Sequence, residues 1–232
     1  MELYELFRRH SRISTDSRHI VPDSLFFALH GERFDGNSYA ENALKAGAAA
    51  AVVDDPSVAE TLRQQWPDRC AEVPDTLAAL QELAARHRRE LGIPILAITG
   101  SNGKTTTTTL TYEILRRAGA NVALGGNIGR SFALSVATER RDWYVIELSS
   151  FQLDGCYDFR ADIGVLTNIT PDHLDRYEYR LQNYVDSKFR ILRNQRPQDC
   201  FIYCADDPLT LGNLPKHPLG MQTLPFSVKT CD

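Results

Sequence analysis

The stretch "AITGSNGKTTTTT" at 97–109 sets two glycines, a lysine and a run of hydroxyls behind an apolar segment. Glycines let a backbone turn so that successive N–H groups face one anion. A helix opening directly after them adds about half a positive charge at its first turn. Lys104 supplies a full charge and the Thr105 hydroxyl can reach a divalent cation. Gly100, Ser101, Asn102, Gly103, Lys104, Thr105 and Thr106 are therefore predicted to hold the phosphates of a nucleotide. That task explains why β-branched threonine, a mediocre helix former, opens a helix here. Thr107 to Thr109 have no role in this reading beyond covering the helix. The usual spacing of such a loop wants glycine at 98, where Ile98 stands, so the loop is a short one. The alternative is a plain Gly-Asn turn with a surface lysine.

Other residues carry chemistry at the ends of predicted strands. "GGNIG", 125–129, either lets the backbone approach a ligand or makes an ordinary strand-to-helix turn. Glu147 closes the strand "WYVIE"; a carboxylate there is costly unless it is salt-bridged or bound to a metal. "TNITPDHLDRY", 167–177, gathers Asn168, Asp172, His173 and Asp175. These suit a divalent cation or general acid–base work, or else a capped helix start with a surface histidine. On "RLQNYVDSKFRILRN", at about 100° per residue, Leu181, Tyr184, Val185, Phe189, Ile191 and Leu192 share one arc. Gln182, Asn183, Asp186, Ser187, Arg190 and Arg193 occupy the other. Lys188 lies in the middle of the apolar arc. It either snorkels to the edge of the core or points inward, needing an anionic partner or a chemical modification.

These residues need rigid elements to position them. Short β-rich runs alternate with helical patterns along the whole chain, which predicts an α/β fold with a mainly parallel sheet. The first part reads as a helix at 2–9, an extended "RISTDS", a strand at 24–29 and a helix at 38–46. A strand "AAAVVD", a helix near 57–65 and a long helix at 75–91 follow. Arginines in the last turn of that helix, then Gly92 and Pro94, mark its end and a domain boundary at 92–93. The second part reads as strands at 94–99, 121–125, 143–148, 163–168 and 200–204, with helices at 103–118, 130–138 and 178–194. The tail "LPKHPLGMQTLPFSVKTCD" carries no strong pattern and reads as the start of more protein.

At 232 residues the chain is long enough for two domains, and 43 % apolar with 24 % charged residues is ordinary for a globular protein. A net charge of −4 points to no nucleic acid and no membrane surface as partner, so the positive charge for an anionic substrate must be local. No apolar run approaches the ~18 residues of a membrane span, and "MELYELFRRH" lacks a signal-peptide core, which points to the cytoplasm. Five cysteines at scattered spacings read as reduced thiols, with a metal role for Cys200 and Cys204 as the alternative.

Taken together, "GSNGKTTT", "GGNIG", "VIELSSFQLDG", "LTNITPDHLDRY" and "YVDSKFRI" resemble, in order, the central ATPase domain of the Mur ligases, the amino-acid ligases of peptidoglycan precursor synthesis. They are most similar to its D-glutamate-adding branch. "ISTDSR", "LFFALHGERFDGN" and "AENALKAGAAAAVVD" look instead like the uridine-nucleotide-binding domain of the D-alanyl-D-alanine-adding branch. The resemblance implies a small α/β UDP-sugar-binding domain over 1–92 and a P-loop ATPase domain over 93–232. The family's third, C-terminal domain has no counterpart in the sequence, which implies a fragment, or a hybrid that binds ATP and UDP-sugar without ligating.

Carried onto this sequence, the resemblance implies that Lys104 and the 100–106 backbone hold ATP, and that Thr105 and Glu147 ligate one Mg²⁺. His173 would ligate a second together with Lys188, typically carbamylated in this family, which would turn an inward cation into an anion. Asn127, Ser149 and Gln152 would face the muramoyl-peptide. Thr15, Asp16, Ser17 and Arg18, with the loop at Gly31 to Asn37, would hold the uridine diphosphate; Arg18 suits a pyrophosphate. The implied reaction activates the carboxylate of a UDP-N-acetylmuramoyl-peptide as an acyl phosphate, which the amine of an amino acid then attacks.

Overall fold

A computed structural model describes residues 2–31, 34–129 and 132–229. The chain divides into two compact units. One runs through Gly92 and takes in a short piece at 137–139; the other covers 93–136 and 140 onward.

The first unit contains α1 (Leu3–His10), β1 (Ile13–Ser14), β2 (Leu25–Phe27), β3 (His30–Gly31), β4 (Phe34–Asp35) and α2 (Ala40–Lys45). It continues through β5 (Ala50–Val53), α3 (Pro56–Gln65), β6 (Cys70–Glu72) and α4 (Thr76–Leu91). Its sheet is parallel in the order β1-β2-β5-β6, and β3 and β4 form a separate antiparallel hairpin. Side chains alternate across a strand. Leu25, Phe27, Ala50 and Val52 therefore pack against Tyr4, Phe7 and Leu83 on one face. Phe26, Ala51 and Val53 pack against Leu44, Ala59 and Leu62 on the other. Covering both faces is what a parallel sheet requires. Asp55 caps α3 by accepting from Ser57 N at 2.8 Å, with Pro56 in the first turn, and Asp75 caps α4 from Ala78 N at 2.7 Å. α4 ends at Gly92 in the left-handed conformation, φ 59°.

The second unit runs β7 (Ile95–Thr99), α5 (Lys104–Arg117), β8 (Val122–Gly126), α6 (Phe132–Thr138, its last two residues falling in the first unit), β9 (Trp143–Glu147) and α7 (Ser150–Asp154). It then runs β10 (Ile163–Leu166), α8 (Leu181–Phe189), β11 (Cys200–Cys204), α9 (Pro208–Asn213) and β12 (Gln222–Phe226). These six strands form one sheet, all parallel, in the order β12-β11-β10-β7-β9-β8. The expected α/β fold with mainly parallel sheets is borne out. Because β7 lies between β10 and β9, the loops that follow all three emerge at one edge of the sheet, where α/β proteins bind ligands.

Several elements differ from expectation. The helix expected at 178–194 is broken: a 3₁₀ turn at Leu174–Tyr177 precedes α8, and a second at Arg190–Leu192 ends it. Glu178 and Tyr179 take φ values of 55° and 56°, left-handed positions that cannot extend a right-handed helix. Ser187, assigned to the polar arc, is buried, donating to Ser150 O at 2.7 Å. The patternless tail opens with a 3₁₀ turn at Leu214–Lys216 and forms β12, and α9 just before it was unexpected; Pro225 lies in β12, an edge strand, where a missing N–H is tolerated. β6, the β3–β4 hairpin and α7 were not expected either. The first two residues of the helix expected at 130–138 lie outside the described residues, as does part of the loop at Gly31 to Asn37.

Candidate active site

In the second unit, β7 holds Ile98 fully buried and turns at Gly100, so the short loop begins one residue beyond the strand. Gly100 has φ 148°, and a Cβ there would lie 1.9 Å from Thr167 Oγ1, so the turn excludes any other residue. The loop after β10 grips the phosphate loop from the side. Ser101 N donates to Asn168 O and Asn102 N to Asn168 Oδ1, both at 2.9 Å. Asn168 Nδ2 returns a bond to Asn102 O at 3.0 Å, and Thr167 Oγ1 adds one to the same oxygen at 2.9 Å. Ser101 Oγ donates to Thr170 O and accepts from Thr170 N, again at 2.9 Å each. Lys104 turns back over its own loop, donating to Ser101 O at 2.9 Å. Thr108 has a task the sequence did not reveal: it is buried, and its hydroxyl donates to Lys104 O at 2.7 Å.

Glu147, 2 % exposed at the end of β9, accepts from Thr105 Oγ1 at 2.8 Å and from Asn127 Nδ2 at 2.9 Å. Both donors are neutral, and among the described residues no ion pair reaches the carboxylate. The glycine turn at 125–129 serves this contact: Gly126 has φ 96°, and its Cβ would stand 2.2 Å from Glu147 O. Asn127, expected to face substrate, is bonded to Glu147 through its amide and through its backbone N–H at 2.8 Å. Ser149 and Gln152 form the capping box that starts α7, with Ser149 Oγ donating to Gln152 Oε1 at 3.0 Å.

Lys188 is 1 % exposed. It points inward, donating to Gly100 O at 2.7 Å with its Nζ 4.5 Å above the Tyr184 ring. Burial, reinforced by the charge of Lys104 and opposed by Asp172, pushes its pKa down to about 7. The snorkelling alternative does not hold. His173 sits on the exposed rim with φ 49°, its Nε2 3.5 Å from Asp172, and no bond joins it to Lys188 among the described residues. No group of three or more His, Cys, Asp or Glu side chains among the described residues could hold a metal by itself. Cys70, Cys156, Cys200 and Cys204 are free thiols, and Cys231 lies outside the described residues. No described helix is long and apolar enough to cross a membrane.

In the first unit, Asp16 and Arg18 pair in the loop after β1, through Nε at 2.9 Å and Nη2 at 2.8 Å. The guanidinium holds the Asp16 carboxyl well below the usual range. Thr15 is exposed and Ser17 half-buried beside them. A second cluster, of which the sequence reading named only Asn37, lies at the carboxyl ends of β2 and β5. Asp54 accepts from Asn37 Nδ2 at 2.8 Å and Thr76 N at 2.9 Å, and pairs with His30 Nε2 at 2.6 Å. Burial raises the Asp54 carboxyl, but the hydrogen bonds from Asn37, His30 and Thr76 outweigh it and bring it down to about 2. In the second unit, Thr167, Thr170 and Tyr184 were missed as partners of the phosphate loop. The hydroxyls flanking Asn168 in "TNIT" were the available signal.

Residues 98–229 match the family model of the Mur ligase middle domain, and residues 10–88 that of the Mur ligase family, catalytic domain. The UDP-N-acetylmuramoylalanine--D-glutamate ligase of Bacteroides fragilis is 60 % identical over 133 residues, 57 % of this chain and 30 % of that one. The enzyme of the same name from Porphyromonas gingivalis is 47 % identical over 170 residues, 68 % and 37 % of the two chains. The match thus spans about a third of the length of these relatives. Among solved structures, MurF ligase from Thermotoga maritima in complex with ADP shares the fold. Its TM-score is 0.78 at 22 % identity, over 99 % of this chain and 52 % of that one. MurF from Acinetobacter baumannii gives 0.72 at 26 % identity, over 93 % and 48 %.

Proposed function

The chain belongs to the Mur ligase family, and we propose that it handles the nucleotides of an ATP-dependent ligase joining an amino acid to a UDP-N-acetylmuramoyl-peptide in the cytoplasm. We take 1–92 as the UDP-sugar-binding domain and 93–232 as the ATPase domain. D-glutamate is the favoured amino acid, because relatives with 60 % identity over 133 residues carry that name. The observation that carries the reading is the Thr105–Glu147 contact of 2.8 Å at the mouth of a phosphate loop. Addition of D-alanyl-D-alanine is the second reading, favoured because MurF ligases match the chain over 93–99 % of its length.

In this reading Lys104 and the N–H groups of 103–106 bind the ATP phosphates, Lys104 exchanging Ser101 O for phosphate oxygen, while the Ser101 and Asn102 N–H groups, held by Asn168, shape the loop. Thr105 and Glu147 fit Mg²⁺, since a buried carboxylate met only by neutral donors wants a positive charge. Magnesium held there would offset charge on the β- and γ-phosphates. Asn127 and Gly126 fix the Glu147 carboxylate. Lys188, with its pKa near 7, keeps a reactive neutral amine at neutral pH. Addition of CO₂ to Nζ with loss of a proton would give a carbamate, an anion suited to a second Mg²⁺ with His173. Arg18 and the hydroxyls of Thr15 and Ser17 bind the uridine diphosphate. The substrate carboxylate attacks the γ-phosphorus, ADP departs, and the resulting acyl phosphate is attacked by the amine, which loses a proton as phosphate leaves. Positioning supplies much of the rate.

The test mixes the protein with ATP, Mg²⁺, a UDP-N-acetylmuramoyl-peptide and either D-glutamate or D-alanyl-D-alanine, and reads products by mass. Each ligand should raise the melting temperature, because it binds the folded state. A D-glutamate adduct supports the first reading and a D-alanyl-D-alanine adduct the second. Binding of both nucleotides without any adduct identifies a binding module, and absence of nucleotide binding overturns all three.

A further inference from the structure

α8 reaches the phosphate loop through two side chains one turn apart, Tyr184 and Lys188. Tyr184 is 1 % exposed and its hydroxyl lies 2.9 Å from Ser101 Oγ. A serine hydroxyl has one hydrogen and two lone pairs. Ser101 gives its hydrogen to Thr170 O and one lone pair to Thr170 N. The remaining lone pair takes the Tyr184 proton, so Tyr184 is the donor and Ser101 Oγ is saturated. Burial raises the phenol's pKa, so that the donor stays protonated. The Tyr184 ring carries Lys188 Nζ on its face, and Lys188 holds the next carbonyl back along the loop, Gly100 O.

From this arrangement we infer that Tyr184 is a positioning residue for nucleotide binding: its hydroxyl sets the Ser101 side chain, and through it the 100–102 backbone that leads into the N–H groups of 103–106. The inference rests on reading 100–106 as a phosphate site. Ser101 Oγ touches both the strand-end loop at Thr170 and α8 at Tyr184, so it is the point where two elements fix the loop. Removing the Tyr184 hydroxyl leaves one buried Ser101 lone pair unmet and the side chain held from the Thr170 side alone, so the loop is fixed by one element fewer.

The test separates the hydroxyl from the ring. Tyr184→Phe keeps the packing and the surface under Lys188, so a residue that only fills the core is fully replaced by phenylalanine. For a positioning residue, Tyr184→Phe melts within a few degrees of the parent yet binds Mg-ADP about five- to tenfold more weakly by calorimetry. Parent-level ADP affinity in Tyr184→Phe overturns the inference. A second readout needs no nucleotide: exchange of the Ser101 and Asn102 amide hydrogens should quicken in Tyr184→Phe while α8 amides stay protected. Unchanged exchange at Ser101 overturns the inference even if the parent binds no ADP, an outcome that would sink the phosphate-site reading instead.

Discussion

Thr105 Oγ1 donates to Glu147 Oε2 across 2.8 Å, joining the first turn of α5 to the last residue of β9. One partner belongs to the phosphate loop's own helix and the other to the neighbouring strand, so the contact exists only because β7 and β9 are adjacent in register. A buried carboxylate satisfied by a hydroxyl and an amide pays for its desolvation without a countercharge. This points to a site kept under-neutralised for a cation.

Glu147→Gln should therefore stabilise the folded chain while removing its response to metal. The amide keeps the shape and one acceptor, and loses the uncompensated charge, a gain of about 1 kcal/mol. In the parent, Mg²⁺ should strengthen ADP binding by about tenfold, equivalent to ~1.4 kcal/mol. In Glu147→Gln the affinity should be the same with Mg²⁺ or with EDTA. A variant that melts lower and still responds to Mg²⁺ would show that Glu147 is a structural acid.

Lys188 gives a pH dependence whose sign can be worked out. Its folded pKa of about 7 lies below the usual lysine value. Between about 7 and 10.4 the unfolded chain binds more protons, so stability rises with pH there. The penalty is full below 7 and gone above the unfolded value. Relative to Lys188→Met, the parent should gain about 3 kcal/mol between pH 7 and pH 9.5, measured by urea unfolding in CO₂-depleted buffer. Parallel stability curves for the two proteins would mean that the ammonium is well solvated.

Gly126→Ala should cost about 2–4 kcal/mol, because the residue combines a positive φ with a backbone contact that leaves no room for a Cβ. The strain falls on Glu147 O, so the variant should also lose Mg²⁺-dependent ADP binding beyond its loss of stability. Gly103→Ala offers the comparison: φ is 76° there, but nothing lies within 4 Å of the added carbon. If both variants unfold at the same urea concentration, the close approach at Gly126 carries no energy of its own.

The parallel sheet of the second unit was legible because its central strands β7, β9 and β10 are largely buried on both faces and read as continuous apolar runs. Helical periodicity placed Lys188 in the apolar arc, but only its burial and its bond to Gly100 O decided between an inward aim and snorkelling. The pairing of Asn127 with Glu147 was not legible, since twenty residues separate them and only the adjacency of β8 and β9 brings them together. β12 escaped for a related reason: an exposed edge strand with an internal proline has no local signal, and its partner β11 supplies the pairing. The break before α8 escaped because Glu178 and Tyr179 are not residue types that announce a left-handed backbone.

The Asp54 cluster provides the last test, within the first unit. The hydrogen bond to Asp54 raises the His30 pKa, and Asp35 and Asp75 add to the effect. A histidine with a raised folded pKa contributes stability that is full below its unfolded value, about 6.5, and is lost as pH rises through the folded one. Asp54 behaves oppositely. Its carboxyl, held at about 2, contributes stability above the unfolded value of about 3.9 that is lost as pH falls through 2. The pair is thus strongest between those limits, where His30 is charged and Asp54 ionised. His30 also pairs with Asp35 at 3.3 Å, so the imidazolium ties the β3–β4 hairpin to the end of β5. Exchange of backbone amides in β3 and β4 should accordingly be slowest near pH 5, after correction for intrinsic rates, and quicken by pH 8. In His30→Gln, which keeps a polar side chain without titrating, the protection should be low and level across that range. A parent whose hairpin protection does not change between pH 5 and pH 8 would show that Asn37 and Thr76 hold Asp54 without help from the charge on His30.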